Sequence, residues 1–204
     1  MGGMFEERLE AALGDRRALA DLAQRAEQRS KMWGCRKLVM AAAWADAHSE
    51  VDHPEGGVLV ERLVKIGPAG TPPVAEFAPE GLVGPFGTSI ASARSWMGDA
   101  LTVRHRLPRL WARVVAGEVH VWQARKIATL TSHLSIAVVG LVDEQTAGWV
   151  TQLPWLTFLK NLDATMLEVD GQSYRVGAGE SDRGEEGSPR HPIRRRPAHP
   201  DRSW

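Results

Sequence analysis

The chain has 204 residues, 43% of them hydrophobic, with 25 Lys and Arg against 25 Asp and Glu. That length suits one domain of ordinary size plus a tail, and the charge balance excludes a chain that is polycationic throughout, so any nucleic-acid surface has to be local. The single cysteine, Cys35, excludes an intrachain disulfide framework and a cysteine-built zinc site.

Taken in chain order, the elements are helical. Phe5, Leu9 and Leu13 recur every four residues and stop at Gly14, which predicts a short first helix closed by glycine. Asp15 can cap the next helix. From Arg16 to His48 there is no proline, and Leu19, Leu22, Ala26, Trp33, Met40 and Trp44 keep a helical spacing that Gly34 and Lys37 interrupt. A helix of that length reaches about 45 Å, too long for one small core to cover, so part of it is expected to pack on a second helix or another chain. Residues 49–73 are rich in Gly and Pro and read as loop, with Val58–Ile66 apolar enough for a short helix or strand. Pro79 and Pro85 limit residues 74–86 to a broken turn or two.

Thr88 or Ser89 opens a clear helix with Ile90, Ala93, Trp96, Met97, Ala100, Leu101 and Val103 on its apolar face and Ser95, Asp99, Thr102 and Arg106 opposite. Pro108 starts the next helix and Gly117 ends it, with Leu110, Trp111, Val114 and Val115 as its inward pairs. A third helix, from Val119 to about Leu130, turns Val119, Trp122, Ile127 and Leu130 inward. Ser135 caps a fourth, holding Ile136, Val139 and Val142, and the last begins near Pro154 with Trp155, Phe158, Leu159, Leu162 and Met166 on its core side. The short loops favour antiparallel neighbours, so residues 1–170 form an all-α compact multi-helix bundle with one long N-terminal helix. After Asp170 no leucine occurs, and Arg, Pro, Gly and Ser take over; residues 171–204 are expected to be a disordered tail, of the composition a GC-rich gene gives when read out of frame.

The chemistry is sparse. The seven histidines form no His-x-x-x-His pair, no Gly-x-Ser-x-Gly nucleophile turn occurs, and no glycine-rich loop stands ready for phosphate. Carboxylate pairs such as Asp143-Glu144 read as solvated faces, and the eight tryptophans, at helical spacing, read as core. The chain is therefore expected to have no catalytic residues, no metal and no cofactor. The longest apolar runs, Val39–Ala45 and Ile136–Val142, fall far short of the roughly 20 residues that span a bilayer, and the acidic start is unlike a signal peptide. A soluble, cytoplasmic protein with no membrane partner is the expectation.

Local charge remains. Between Thr88 and Lys126 stand Arg94, Arg104, Arg106, Arg109, Arg113, Arg125 and Lys126 against Asp99 and Glu118, seven minus two, an excess of five. Such a face suits the phosphate backbone of duplex DNA. The alternative is that these cations pair with acidic residues of the long helix, such as Glu27, Asp46 or Glu50.

Several segments carry a resemblance. Glu76-Phe77-Ala78, Ser89-x-x-Ser92-Ala93-Arg94 with Asp99-Ala100-Leu101, Arg104-His105-Arg106-Leu107-Pro108, Trp111-x-x-Val114-x-x-Gly117-Glu118, Ala124-Arg125-x-Ile127-Ala128 and Pro154-Trp155 resemble the actinobacterial domain of unknown function 222, typical of the mycobacterial thirteen-E-twelve repeat proteins. The resemblance covers roughly residues 5–169. It implies a helical domain of the kind that precedes an HNH endonuclease domain, and association with DNA. The metal-binding and hydrolytic residues of that family belong to the downstream domain, and nothing after Asp170 matches it. The expected function is thus a non-catalytic helical domain of a truncated HNH-endonuclease-like repeat protein, holding DNA by its arginines. The alternative is a helical oligomerisation module with no nucleic-acid role, a homo-oligomer built through the Arg16–His48 helix with Trp33, Met40 and Trp44.

Overall fold

Asp15 opens the longest helix of the protein. In the computed structural model, which describes residues 3–50 and 61–184, its carboxylate accepts the backbone N–H of Arg17 at 2.8 Å and of Ala18 at 3.3 Å. The first helix, α1 (Gly3–Ala12), precedes it, and α2 (Arg16–Ala47) follows without a break. Gly34 does not interrupt α2 because its missing side chain is a packing device: a Cβ there would lie 2.7 Å from Val121 Cγ1. Lys37 also has an inward role, donating to the carbonyl of Phe86 at 3.2 Å with its ammonium over the Phe86 and Trp96 rings.

The C-terminal half of α2 is core, where Cys35, Leu38, Ala41, Ala42 and Ala45 are buried. Its N-terminal half is not. Residues 13–34 contain no buried position; Glu27, Met32 and Gly34 still touch His120, Gly117 and Val121, so the part of α2 that projects from the bundle is the stretch before Glu27, about 16 Å at 1.5 Å per residue, with α1 folded along it.

A two-stranded antiparallel ribbon, β1 (Leu63–Val64) with β2 (Val74–Ala75), pairs Leu63 with Ala75 and Val64 with Val74. A 3-10 turn (Ala78–Leu82) and the short helix α3 (Val83–Phe86) lead into α4 (Ile90–Arg106), which Ser89 caps by accepting Ser92 N–H at 3.2 Å. Pro108 begins α5 (Pro108–Ala116), and Gly117 ends it at φ +70°, a left-handed conformation that glycine adopts without a Cβ clash. Then come α6 (Val121–Leu130), α7 (Ile136–Thr146), capped by Ser135, a 3-10 turn (Trp149–Thr151) and α8 (Trp155–Gly184). Helix α4 is the hub: it packs on α2, α5, α6 and α7, with Met97, Ala100, Leu101 and Val103 fully buried.

Several expectations need correction. Thr102 and Arg106 were expected on the polar side of α4, but both are buried, Thr102 donating to the Gly98 carbonyl at 2.7 Å and Arg106 to carbonyls after α6, while His105 between them stays exposed. Val115, Trp122 and Ile136 were expected inward and are half or more exposed; Ala124, Ile127 and Ala128 supply the core side of α6 instead. Residues Met1–Asp170 form one compact unit and those from Gly171 a second. Helix α8 is continuous to Gly184, so the first residues of the segment expected as a tail carry on its helix. Arg194–Arg196, His191, His199 and residues 51–60 lie outside the described residues. No described helix is long and apolar enough to cross a membrane.

Candidate interaction surface

The seven cations singled out between Arg94 and Lys126 do not form one free face. Arg106 is 2% exposed; it donates through Nη1 to the Ser132 carbonyl at 3.1 Å and through Nη2 to that of Leu134. Among the described residues its Nε finds no partner and no carboxylate forms an ion pair with it, and burial lowers its pKa below the ordinary arginine value. It satisfies carbonyls that follow α6, and as a phosphate contact it is ruled out.

Four others are taken up by carboxylates. Arg104 pairs with Asp46 of α2, the partner helix anticipated for it, and its guanidinium lies 5.9 Å from the Trp111 ring centre. Arg109 pairs with Glu144 of α7, and Arg113 with Glu118 at 2.9 Å across the end of α5. Arg125 donates to Asp99 at 2.6 Å and Ser95 at 3.1 Å while its guanidinium covers the Trp96 ring at 4.1 Å. Burial raises the Asp99 pKa against the opposing pull of Arg125 and Ser95. Arg94, near Glu76, and Lys126 are exposed and carry no ion pair among the described residues.

The same segment holds the junction of α5 with α7. Asp143 of α7 is buried and reaches the N-terminus of α5, where Oδ2 accepts Arg109 N–H at 2.7 Å and Oδ1 accepts Leu110 N–H at 3.1 Å. Within Arg104-His105-Arg106-Leu107-Pro108, Arg104 thus fastens α4 to α2 and Arg106 fastens it to the residues after α6.

No family model, curated protein or solved structure matches this chain. The site rests on its own geometry.

Among the described residues, no three His, Cys, Asp or Glu side chains gather as a metal cluster. Cys35 is buried, donates to the Val119 carbonyl at 3.0 Å and has its thiol pKa raised by that burial, which makes it a packing residue with little thiolate character.

The unspent charge lies elsewhere. From Arg16 to Lys37, α2 carries Arg16, Arg17, Arg25, Arg29, Lys31, Arg36 and Lys37 against Asp21 and Glu27, again seven minus two; Lys37 is spent on the Phe86 carbonyl and Arg36 lies over the Trp33 ring, which leaves five minus two. Glu27 approaches His120 at 3.6 Å, and none of these seven cations has a carboxylate within ion-pair distance among the described residues. Beside them lie exposed Phe5, Trp33 and Met40. Trp44, also proposed for assembly, is not part of this surface: its Nε1 donates to the Ala78 carbonyl at 2.8 Å and its ring packs against Gly81. The charge count that drew attention to Thr88–Lys126 gives the same excess for Arg16–Lys37, while α1, which lies along it, brings Glu6, Glu7 and Glu10.

Proposed function

We propose that this chain is a non-catalytic helical binding domain, of the kind that stands ahead of HNH nuclease domains, and that it works by association through the arm formed by α1 and the first half of α2. The observation carrying this reading is a combination that, among the described residues, occurs there: no buried residue from 13 to 34, arginines without an ion pair, and large exposed apolar side chains. The resemblance supports the domain type, and the residues that bear it fasten the helices together.

Duplex DNA is the second partner class, favoured by Arg16, Arg17, Arg25 and Arg29, which have no carboxylate partner among the described residues. In that reading the arm makes backbone contacts that give affinity with little sequence choice, and Arg94 and Lys126 are the two of the seven Thr88–Lys126 cations that remain exposed without an ion pair among the described residues.

Amide hydrogen exchange tests the reading. The full chain is compared dilute, concentrated, and with duplex DNA. Added protection in α1 and residues 16–34 is the expected result in at least one of the two loaded conditions. Protection confined to α4–α6, or none in either condition, rejects the arm as the working surface.

A further inference from the structure

We infer that the partner of the arm is a second copy of this chain, with α1 of each copy seated in the groove between α1 and α2 of the other. This rests on the arm being the association surface. The groove has a volume of about 450 Å³, an apolar floor that includes Phe5, Leu22 and Trp33, and a rim of Arg8, Arg25 and Arg29 with no carboxylate. Its occupant must therefore offer apolar side chains flanked by acids at helical spacing. A phosphate backbone meets the rim but not the floor.

Helix α1 carries that pattern on its outer side. Arg8, Ala11 and Ala12 face α2, which leaves Glu6, Leu9 and Glu10 on the opposite face at i, i+3 and i+4, with Leu13 in the turn that follows the helix. Leu9 and Leu13 are exposed, Leu13 at 66%, and Glu6 and Glu10 are exposed and one turn apart. Arg25 and Arg29 are also one turn apart, so carboxylates and guanidinium groups match in spacing as well as in sign. Because each copy holds both the acidic ridge and the cationic groove, one twofold axis satisfies both at once, giving an isologous four-helix pairing. The exposed Leu13 and Trp33 would be covered in the same step.

Sedimentation velocity on the full chain tests this. Wild type should pass from one-chain to two-chain mass as concentration rises into the high micromolar range. Glu6→Arg with Glu10→Arg, and separately Arg25→Glu with Arg29→Glu, should each stay at one-chain mass, since like charges would then meet. Mixed together, the two reversed proteins should recover the two-chain mass, because each ridge then finds a groove of opposite sign; that recovery also shows that both are folded. A wild type that stays single, a two-chain species that survives both reversals, or a mixture that fails to pair overturns the inference. If wild type stays single while duplex DNA protects the arm from exchange, the second copy is wrong and the arm still stands.

Discussion

The carboxylate of Asp143 accepts the backbone N–H of Arg109 at 2.7 Å, so a side chain on α7 closes the N-terminus of α5, a helix whose own preceding residue, Leu107, has no side chain able to do so. A second bond goes to Leu110 at 3.1 Å. Asp143→Ala orphans two donors at a helix start, the Leu110 N–H buried and the Arg109 N–H part-buried, and should cost about 1–3 kcal/mol, read from urea denaturation. A loss within the scatter of surface substitutions would mean that water replaces the cap without penalty.

Burial raises the carboxyl pKa of both Asp99 and Asp143. The folded state thus keeps these protons over a pH range in which the unfolded chain has already released them. By linkage, their contribution to stability is greatest at low pH and falls as pH rises from the ordinary carboxylate pKa through the raised folded value, then levels. Asp99→Asn removes one of these titrations. The stability of wild type minus that of the variant should fall across this window, measured as urea midpoints against pH, and a difference that grows with pH would contradict the burial argument.

Arg106 spans two carbonyls with one planar fork, which a lysine ammonium cannot reproduce. Arg106→Lys should lose about 1.5–3 kcal/mol of stability, the range for hydrogen bonds to a charged donor. Any DNA affinity of the folded variant should equal that of wild type. A variant of unchanged stability but weakened DNA binding would return Arg106 to the surface.

The glycines of the helices divide by what surrounds them. Gly140 is exposed with open space where a Cβ would go, so Gly140→Ala should stabilise by about 0.5–1 kcal/mol through helix propensity. Gly34→Ala gains the same propensity but drives a methyl into Val121, and it should destabilise on balance, with Val121→Ala restoring part of the loss. Thermal melts of the three variants decide this, and a stabilising Gly34→Ala would refute the close approach of α2 and α6.

What the sequence made legible was local. The caps at Asp15, Ser89 and Ser135 and the Pro108–Gly117 punctuation depend on groups within a few residues of each other, and each stands where the pattern placed it. Periodicity failed where burial is set by distant partners. Arg106 meets carbonyls 26 and 28 residues away and Asp143 meets amides 34 and 33 residues away, separations at which hydrophobic spacing carries no information. The tryptophans show the same limit: Trp122 stays half exposed in an edge-to-face contact with Trp155 at 4.8 Å between ring centres, while Trp44 is fixed by one carbonyl. The site suffered most, because counting arginines along the chain cannot show which have acids facing them in space.

The central claim, that this domain binds without breaking bonds, meets its most direct test in a plasmid incubation with the purified chain and magnesium or manganese. The account predicts supercoiled plasmid that remains uncut over many hours at protein excess. Nicked or linear product that appears with either metal and stops on adding chelator would contradict it.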